Sequence, residues 1–298
     1  MEKISSPEST RQRILEILSR TKDILTLPTI VQEILDITSS KNTSASDLTK
    51  ILESDPALTT KILAVSNSAY YGFVKKVSTV SHAVVILGFQ EIQNIALSMS
   101  VLKLFDRRGS EFSDKLWRHC FAVAVATRMI AGYLNMRMDG KYFVGGLLHD
   151  VGKIFLAQYL PELFNRLLVR IDDPGNKLTY HALEFKFYGI SHAEIGGRLL
   201  KSWMFPLDIV DVTSFHHDPS KAEIDPLFVA CVHLADILCT FNGISPLKDQ
   251  YFFPVDKEAL SQIHSQKKDF STEDMNFLLS RLDIEIERQS SFVSVFRR

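Results

Sequence analysis

The stretch 44–72, SASDLTKILESDPALTTKILAVSNSAYYG, decides the fold class. Ser44 and Asp47 have the spacing of a capping box, in which each side chain satisfies a backbone N–H at the start of a helix. Behind them Leu48, Ile51 and Leu52 fall on one helical face. The chain then restarts at Asp55-Pro56: the carboxylate suits an N-cap, and proline suits a first helical position, where its missing N–H has no partner to lose. Leu58, Ile62 and Leu63 make the second apolar stripe, and Gly72 supplies the stop.

The same spacing extends outward in both directions. In 27–40, LPTIVQEILDITSS, Pro28 opens a helix whose stripe is Ile30, Ile34 and Ile37. Residues 78–105, STVSHAVVILGFQEIQNIALSMSVLKLF, read as two helices broken near Gly88. A polar joint follows at 106–113, and helices resume at about Lys115. Alternating strand patterns and fixed-period repeats are absent from the sequence. The expectation is an all-α protein with two helical lobes: a disordered leader at 1–10, an N-terminal lobe at 11–110, a second lobe at 111–244 and a helical extension at 245–298. In the extension, DKEALSQIH and a segment capped by Ser271 and Asp274 are helical, and YFFPV (251–255) is a candidate cover for a cleft.

Charge narrows the function classes. The 298 residues hold 34 Lys+Arg and 35 Asp+Glu, a formal net charge of -1, with no long single-sign run. Bulk electrostatic binding to nucleic acid or anionic membrane is therefore not expected. The helix pair around Gly88 has the outline of a helix-turn-helix, but its second helix carries one lysine and no arginine, too little for phosphate contacts. Cys120, Cys231 and Cys239 lie in apolar runs and read as free buried thiols. The N-terminus lacks an apolar core, and no apolar stretch approaches the ~20 residues of a membrane span, so a cytoplasmic location is expected.

The stretch 145–153, GGLLHDVGK, places His149 beside Asp150 at the end of an apolar run. Such a doublet alone fits a polar helix end as well as a metal ligand pair. His119 shares a helical face with Val123, Ala126 and Ile130, where an imidazole needs a hydrogen-bond partner or a metal. Asp236 shares one with Val229, Val232 and Cys239, and a carboxylate there needs a cation or a raised pKa. His192 falls in the first turn of a helix capped by Ser191, with Glu194 in capping-box spacing; such a histidine is more often exposed. His216 and His217 end a helix and can lean inward or complement its dipole. Gly196 and Gly197 would let a neighbouring helix approach closely. His181 competes with His192 for the same role, while His82, His233 and His264 fall outside the pattern.

Several motifs agree in order with one family. The segments 27–38 and 44–72, VSTVSHAVVILGFQEIQNIAL, the pairs Asp55-Pro56, Asn67-Ser68 and Leu87-Gly88, then GLLHDVGKIFLAQYLP, SHAEIGGRLLKSWMFP and His216-His217 resemble the HDOD domain, the HD-related output domain of bacterial signalling proteins. The likeness runs from about Leu27 to about Asp218. The order His, His-Asp, His, His-His, Asp is similar to the ligand series of the HD and HD-GYP metal-dependent phosphohydrolases. By that resemblance His119, His149, Asp150 and Asp236 hold one metal, and Asp150 bridges to a second held by His192, His216 and His217. A donor set so rich in histidine favours two divalent transition metals (iron, manganese, zinc or nickel) over magnesium or calcium. Lys153, one turn after His149, is placed to neutralise phosphate or simply to be solvated.

The resemblance implies a regulatory module with a signalling-protein partner. The complete ligand series implies, as the alternative, a metal-dependent phosphohydrolase using Asp150 and Lys153 on a phosphate-containing ligand, a nucleotide or phosphomonoester. The segment after His217, DPSKAEIDPLF, lacks the Gly-Tyr-Pro signature, which argues against cyclic di-GMP as substrate.

Overall fold

The computed structural model describes residues 6–21, 33–34, 36–37, 44–67, 76–102, 111–136, 140–173, 175–247 and 254–288. Among them the regular elements are helices, with no strand. The start signals at 44–66 act as expected. Helix α2 (Ala45–Glu53) opens with the reciprocal Ser44–Asp47 capping box, and Asp55 accepts the Leu58 N–H at 3.0 Å to start α3 (Pro56–Ser66). Leu48, Leu52 and Ile62 are fully buried. Of the preceding stripe Ile34 is buried, whereas Pro28, Ile30 and the Gly72 stop lie outside the described residues. Asn67 holds the far end of this unit: its amide donates to the Val77 carbonyl and accepts the Val77 N–H, both at 2.7 Å.

Gly88, at φ +91°, breaks the next run into α4 (Val80–Leu87) and α5 (Phe89–Leu102), a conformation favouring a residue without Cβ. Helices α2 to α5 pack on one another. On α5 the polar Gln93 and Asn94 are buried with Ile92, Ile95 and Ala96, so this part of the helix packs inside the protein instead of presenting a DNA-reading face.

The second half is built around α6 (Glu111–Tyr133), which starts earlier than expected with Glu111 and Asp114 in its first turn. Next come α7 (Lys141–Leu148), α8 (Val151–Tyr159), α9 (Pro161–Ile171), α10 (Tyr180–Tyr188), α11 (His192–Ser202), α12 (Leu207–Phe215) and α13 (Pro226–Phe241). Helix α13 contacts α6, α7 and α12, and α5 joins the two halves through α7. In the extension, α14 (Lys257–Gln266) packs on α13 and α15 (Thr272–Arg288) on α6. The three cysteines are free and buried. No helix among the described residues is long and apolar enough to cross a membrane. YFFPV lies mostly outside the described residues, at 251–253.

One placement was not expected. Residues 7–10, read as part of a disordered leader, form the first turn of α1 (Pro7–Thr21), where Ser6 accepts the Ser9 N–H on its hydroxyl and the Thr10 N–H on its carbonyl. Although most of it falls within the range 11–110 expected for the first lobe, α1 packs on α10 of the second half. Arg11 fixes it there, donating to the Gly189 carbonyl at 2.6 Å and to both oxygens of Glu194 at 2.7 and 3.1 Å.

Candidate metal centre

The seven candidate ligands come from within three helices, α6, α11 and α13, and from two helix ends, the α7–α8 corner and the end of α12. His119 sits in the middle of α6 and Asp236 within α13. His149 caps α7, and Asp150 forms the corner into α8 at φ -99°, ψ 13°. His192 opens α11 beneath its Ser191 cap, and His216 caps α12 with His217 next. His119, His149, Asp150, His192 and His216 are at most 1% exposed. The first-turn His192, the residue most easily read as exposed, is thus fully inside.

Glycines make this convergence possible. A Cβ on Gly152 would lie 1.9 Å from the His192 carbonyl oxygen, and one on Gly196 would meet Thr213 and Val151. Helix α8 can therefore rest directly on the first turn of α11, bringing Asp150 and His192 together. Gly197 plays the same part against Ser214 of α12.

The imidazoles are oriented by what lies behind them. Nδ1 of His119 is 2.7 Å from the Ile244 carbonyl, Nδ1 of His149 is 2.7 Å from the Gly146 carbonyl, and Nδ1 of His216 is 2.9 Å from the Thr213 carbonyl. A carbonyl only accepts, so each Nδ1 carries a proton and each Nε2 is turned inward. His192 is held similarly by Glu184, whose carboxylate accepts from its Nδ1 at 2.6 Å and its backbone N–H at 3.0 Å.

The inward-facing atoms are close together. His119 Nε2 lies 3.2 Å from Asp236 Oδ1 and 3.6 Å from Asp150 Oδ2; His149 Nε2 is 3.4 Å from Asp150 Oδ2. His192 Nε2 is 3.1 Å from Asp150 Oδ1 and 3.3 Å from His216 Nε2, and His217 Nδ1 is 3.9 Å from Asp236 Oδ2. Ligand atoms fall within 4.8 Å of one another in three sets: His119, His149 and Asp150; His149, His216 and Asp236; and His192, His216 and His217. His149 Nε2 and Asp150 Oδ1 are buried without a hydrogen-bond partner. Acceptors facing acceptors in a buried space are costly without a proton or a cation between them. The donor set therefore fits transition-metal ions.

Lys153 is the cation present. It is 7% exposed, donates to Asp150 Oδ2 at 2.7 Å and lies over the Tyr180 ring, so the solvated alternative does not hold. Burial by itself lowers its pKa, but Asp150 and Asp236 raise it more, and the net direction is up. Burial likewise works to raise Asp150, yet the charges of His149 and Lys153 and the His192 contact hold it well below the carboxylate range. Three buried carboxylates, Asp150, Glu184 and Asp236, thus face one buried lysine.

Burial also depresses the pKa of His149, His216 and His217, and takes that of His181 to about 3. In the unfolded chain these rings protonate below about pH 6.5. The folded state resists those protons, so the unfolded state binds more of them in acid, and stability is lost as pH falls from about 6.5 toward 3. His192 opposes this: burial lowers its pKa, but Glu184 and Asp150 together raise it more. With these four and His233, also lowered by burial, against one, the urea midpoint of chelator-treated protein should drop between about pH 7.5 and about pH 5. An unchanged or higher midpoint in acid would contradict the placement of these rings.

Three contributors escaped sequence reading. Glu184 sits on the inner face of α10 in the apolar-looking YHALEFKFYG, eight residues before His192, and only the tertiary turn brings them together. His233, outside the expected pattern, orients the His216 backbone: its Nδ1 donates to the His216 carbonyl at 2.7 Å while its Nε2 accepts the Asp256 N–H at 3.0 Å. Ile244 enters through its carbonyl, which any residue carries. The Ser191–Glu194 box is only half formed: Ser191 accepts the Glu194 N–H, but the Glu194 side chain turns to Arg11 and Arg198. His181 does not join the ligand groups; it stands at the mouth beside His217, with ring centroids 4.7 Å apart. His82 is exposed, and His264 bonds the Phe270 carbonyl.

Over the ligands, Tyr180, Thr240 and Ser245–Leu247 leave a cavity of only about 20 Å³. That is about the room one water needs.

Residues 24–219 match the model of the HDOD domain family. The structure superposes on an HDOD domain protein from Geobacter sulfurreducens with a TM-score of 0.75, at 24% identity, covering 97% of this chain and 98% of that one. An uncharacterized protein of Treponema pallidum is 27% identical over 241 residues, 80% of this chain and 46% of its own length. The cyclic-di-AMP phosphodiesterase PgpH of Bacillus subtilis is 38% identical over 77 residues, 26% of this chain and 10% of its own. The chain thus spans less than half the length of these two curated relatives.

Proposed function

The chain belongs to the HDOD domain family, and on that premise we propose that it is a bacterial signal-transduction output module whose folded state is set by a two-metal centre. One observation carries this reading: four imidazoles have Nδ1 anchored behind them, so their Nε2 atoms and two aspartates converge on a buried space with unpartnered acceptors. His119, His149, Asp150 and Asp236 would hold one ion, and Asp150, His192, His216 and His217 the other. Iron, manganese, zinc or nickel suits these donors. Because the ligands span α6, α7, α11, α12 and α13, occupancy would tie those helices together and stabilise the folded state selectively. A signalling partner would read that state, and the division into lobes at about residue 110 is part of the same proposal.

The buried Lys153–Asp150 pair favours a second reading, a metal-dependent phosphohydrolase acting on a nucleotide or phosphomonoester. Bound divalent metal would supply Lewis acidity to a phosphoryl oxygen and an acidified water. Lys153 would place fixed positive charge beside the phosphate while holding Asp150 ionised.

Metal analysis of the purified full chain, followed by assays on a broad phosphoester panel with added manganese or iron, separates these readings. Stoichiometric metal without turnover supports the module; metal with turnover lost in Lys153→Met supports the enzyme; absence of metal after anaerobic loading rejects both. Glu184→Gln provides a finer check. It keeps a hydrogen-bonding side chain but removes the charge behind His192, and should weaken metal at the His192–His216–His217 position about 10–100-fold. Calorimetric titration should then resolve one tight and one weak site; two unaltered sites would exclude a role for Glu184.

A further inference from the structure

The 20 Å³ space over the ligands cannot hold an organic molecule, but it shares His181 and His217 with a groove of about 580 Å³. That volume is typical of small-molecule sites. Three helical stripes build the groove. Helix α10 contributes His181 and Phe185, one turn apart. Helix α11 contributes Glu194, Gly197, Arg198 and Lys201 at i, i+3, i+4 and i+7. Helix α12 contributes Leu207, Val210, Asp211 and Ser214. At its floor Gly197 lets α11 and α12 meet closely, since a Cβ there would lie 1.8 Å from the Ser214 hydroxyl.

The lining has a definite chemical character. Its apolar part is unusually exposed: Phe185 is 46% exposed, Ile224 53% and Leu207 61%. Its carboxylates are engaged. Glu194 accepts from Arg11 and Arg198, Asp211 from the backbone N–H groups of Glu223 and Ile224, and Asp218 from Ser220 and Lys221. Lys201 has no carboxylate partner among the described residues. What the groove still offers is therefore an aromatic face and N–H donors. Rings lead from it to the ligands: centroids are 4.9 Å apart for Phe185–His181, 4.7 Å for His181–His217 and 4.1 Å for His217–His216.

We propose that this groove binds a phosphate ester carrying a planar ring, the ring against Phe185, the anion toward Lys201 and the His181–His217 mouth. The proposal deepens the metal-centre reading by giving that centre a ligand class and an approach, and it assigns Phe185 and Lys201 roles outside the ligand set.

The test uses the manganese-loaded full chain, titrated calorimetrically with AMP and, separately, with inorganic phosphate, with metal content measured on the same samples. AMP should bind at least about tenfold tighter than inorganic phosphate. Phe185→Ala and Lys201→Glu, both at exposed positions, should each weaken AMP about fivefold or more, as loss of base stacking or of a charge contact does, with metal content unchanged. AMP binding no tighter than phosphate, or undiminished in both variants, overturns the groove assignment whether or not metal is present. AMP binding with the expected sensitivity in protein that holds no metal supports the groove while removing the two-metal reading. Full metal content with no AMP binding does the reverse.

Discussion

Asp150→Ala should leave the purified protein with almost no bound transition metal and should lower the stability of the metal-free fold by roughly 3–5 kcal/mol. The two losses have different causes. Asp150 is the one residue common to both proposed positions, within 3.1 Å of His192 Nε2 and 3.4 Å of His149 Nε2. Removing it takes a ligand from each ion at once. It also strands the Lys153 ammonium, which is 7% exposed and loses its 2.7 Å partner. A buried charge without its counter-ion is far more costly than the intact pair is stabilising. Asp150→Ala combined with Lys153→Met should therefore recover much of the stability and none of the metal. Metal content by mass spectrometry and urea unfolding read the two effects separately. Wild-type metal content in Asp150→Ala would end the two-metal proposal.

Gly152→Ala should be comparably damaging through packing alone. The added methyl would lie 1.9 Å from the carbonyl oxygen of His192 and 3.0 Å from the Gly196 nitrogen, both backbone atoms that no rotamer change can move. Helix α8 must then separate from α11, drawing Asp150 away from His192. Overpacking of this kind costs about 1–3 kcal/mol and more where backbone must shift. Thermal unfolding should register the loss, and metal affinity should fall although no ligand was altered. Unchanged stability together with unchanged metal binding would show that the α8–α11 contact does not position Asp150. Alanine at Gly243 offers the contrast: space is open there, but φ +76° strains any side chain, so stability should fall while the ligand geometry is retained.

Both substitutions lie in GGLLHDVGK, and the difference between them separates two kinds of information. The importance of Asp150 could be suspected from the chain, because a His-Asp doublet after an apolar run is chemically conspicuous. The importance of Gly152 could not, because nothing within LLHDVGK says that the His192 carbonyl will lie beside it. Glu184 is a similar case, a carboxylate on a nine-residue helix with no local mark distinguishing it from a surface acid. His233 falls outside the ligand order, yet it holds the backbone of His216. The placement of α1 was equally hidden, since Arg11 meets Glu194 across 183 residues of sequence separation.

The seven candidate ligands follow as a set from the likeness in motif order, whereas the amino-acid order by itself determined the helical class and many of the helix starts described in the structure. Those features depend on interactions within a turn or two: caps, proline at a first position, apolar residues three and four apart. Tertiary structure alone decided that His192 is buried, that Glu184 and three carbonyls orient the rings, that Lys153 is an ion pair, and that a groove opens beside His217. Each of these depends on groups distant along the chain meeting at a few ångströms, a separation set by close packing of whole helices rather than by any local preference.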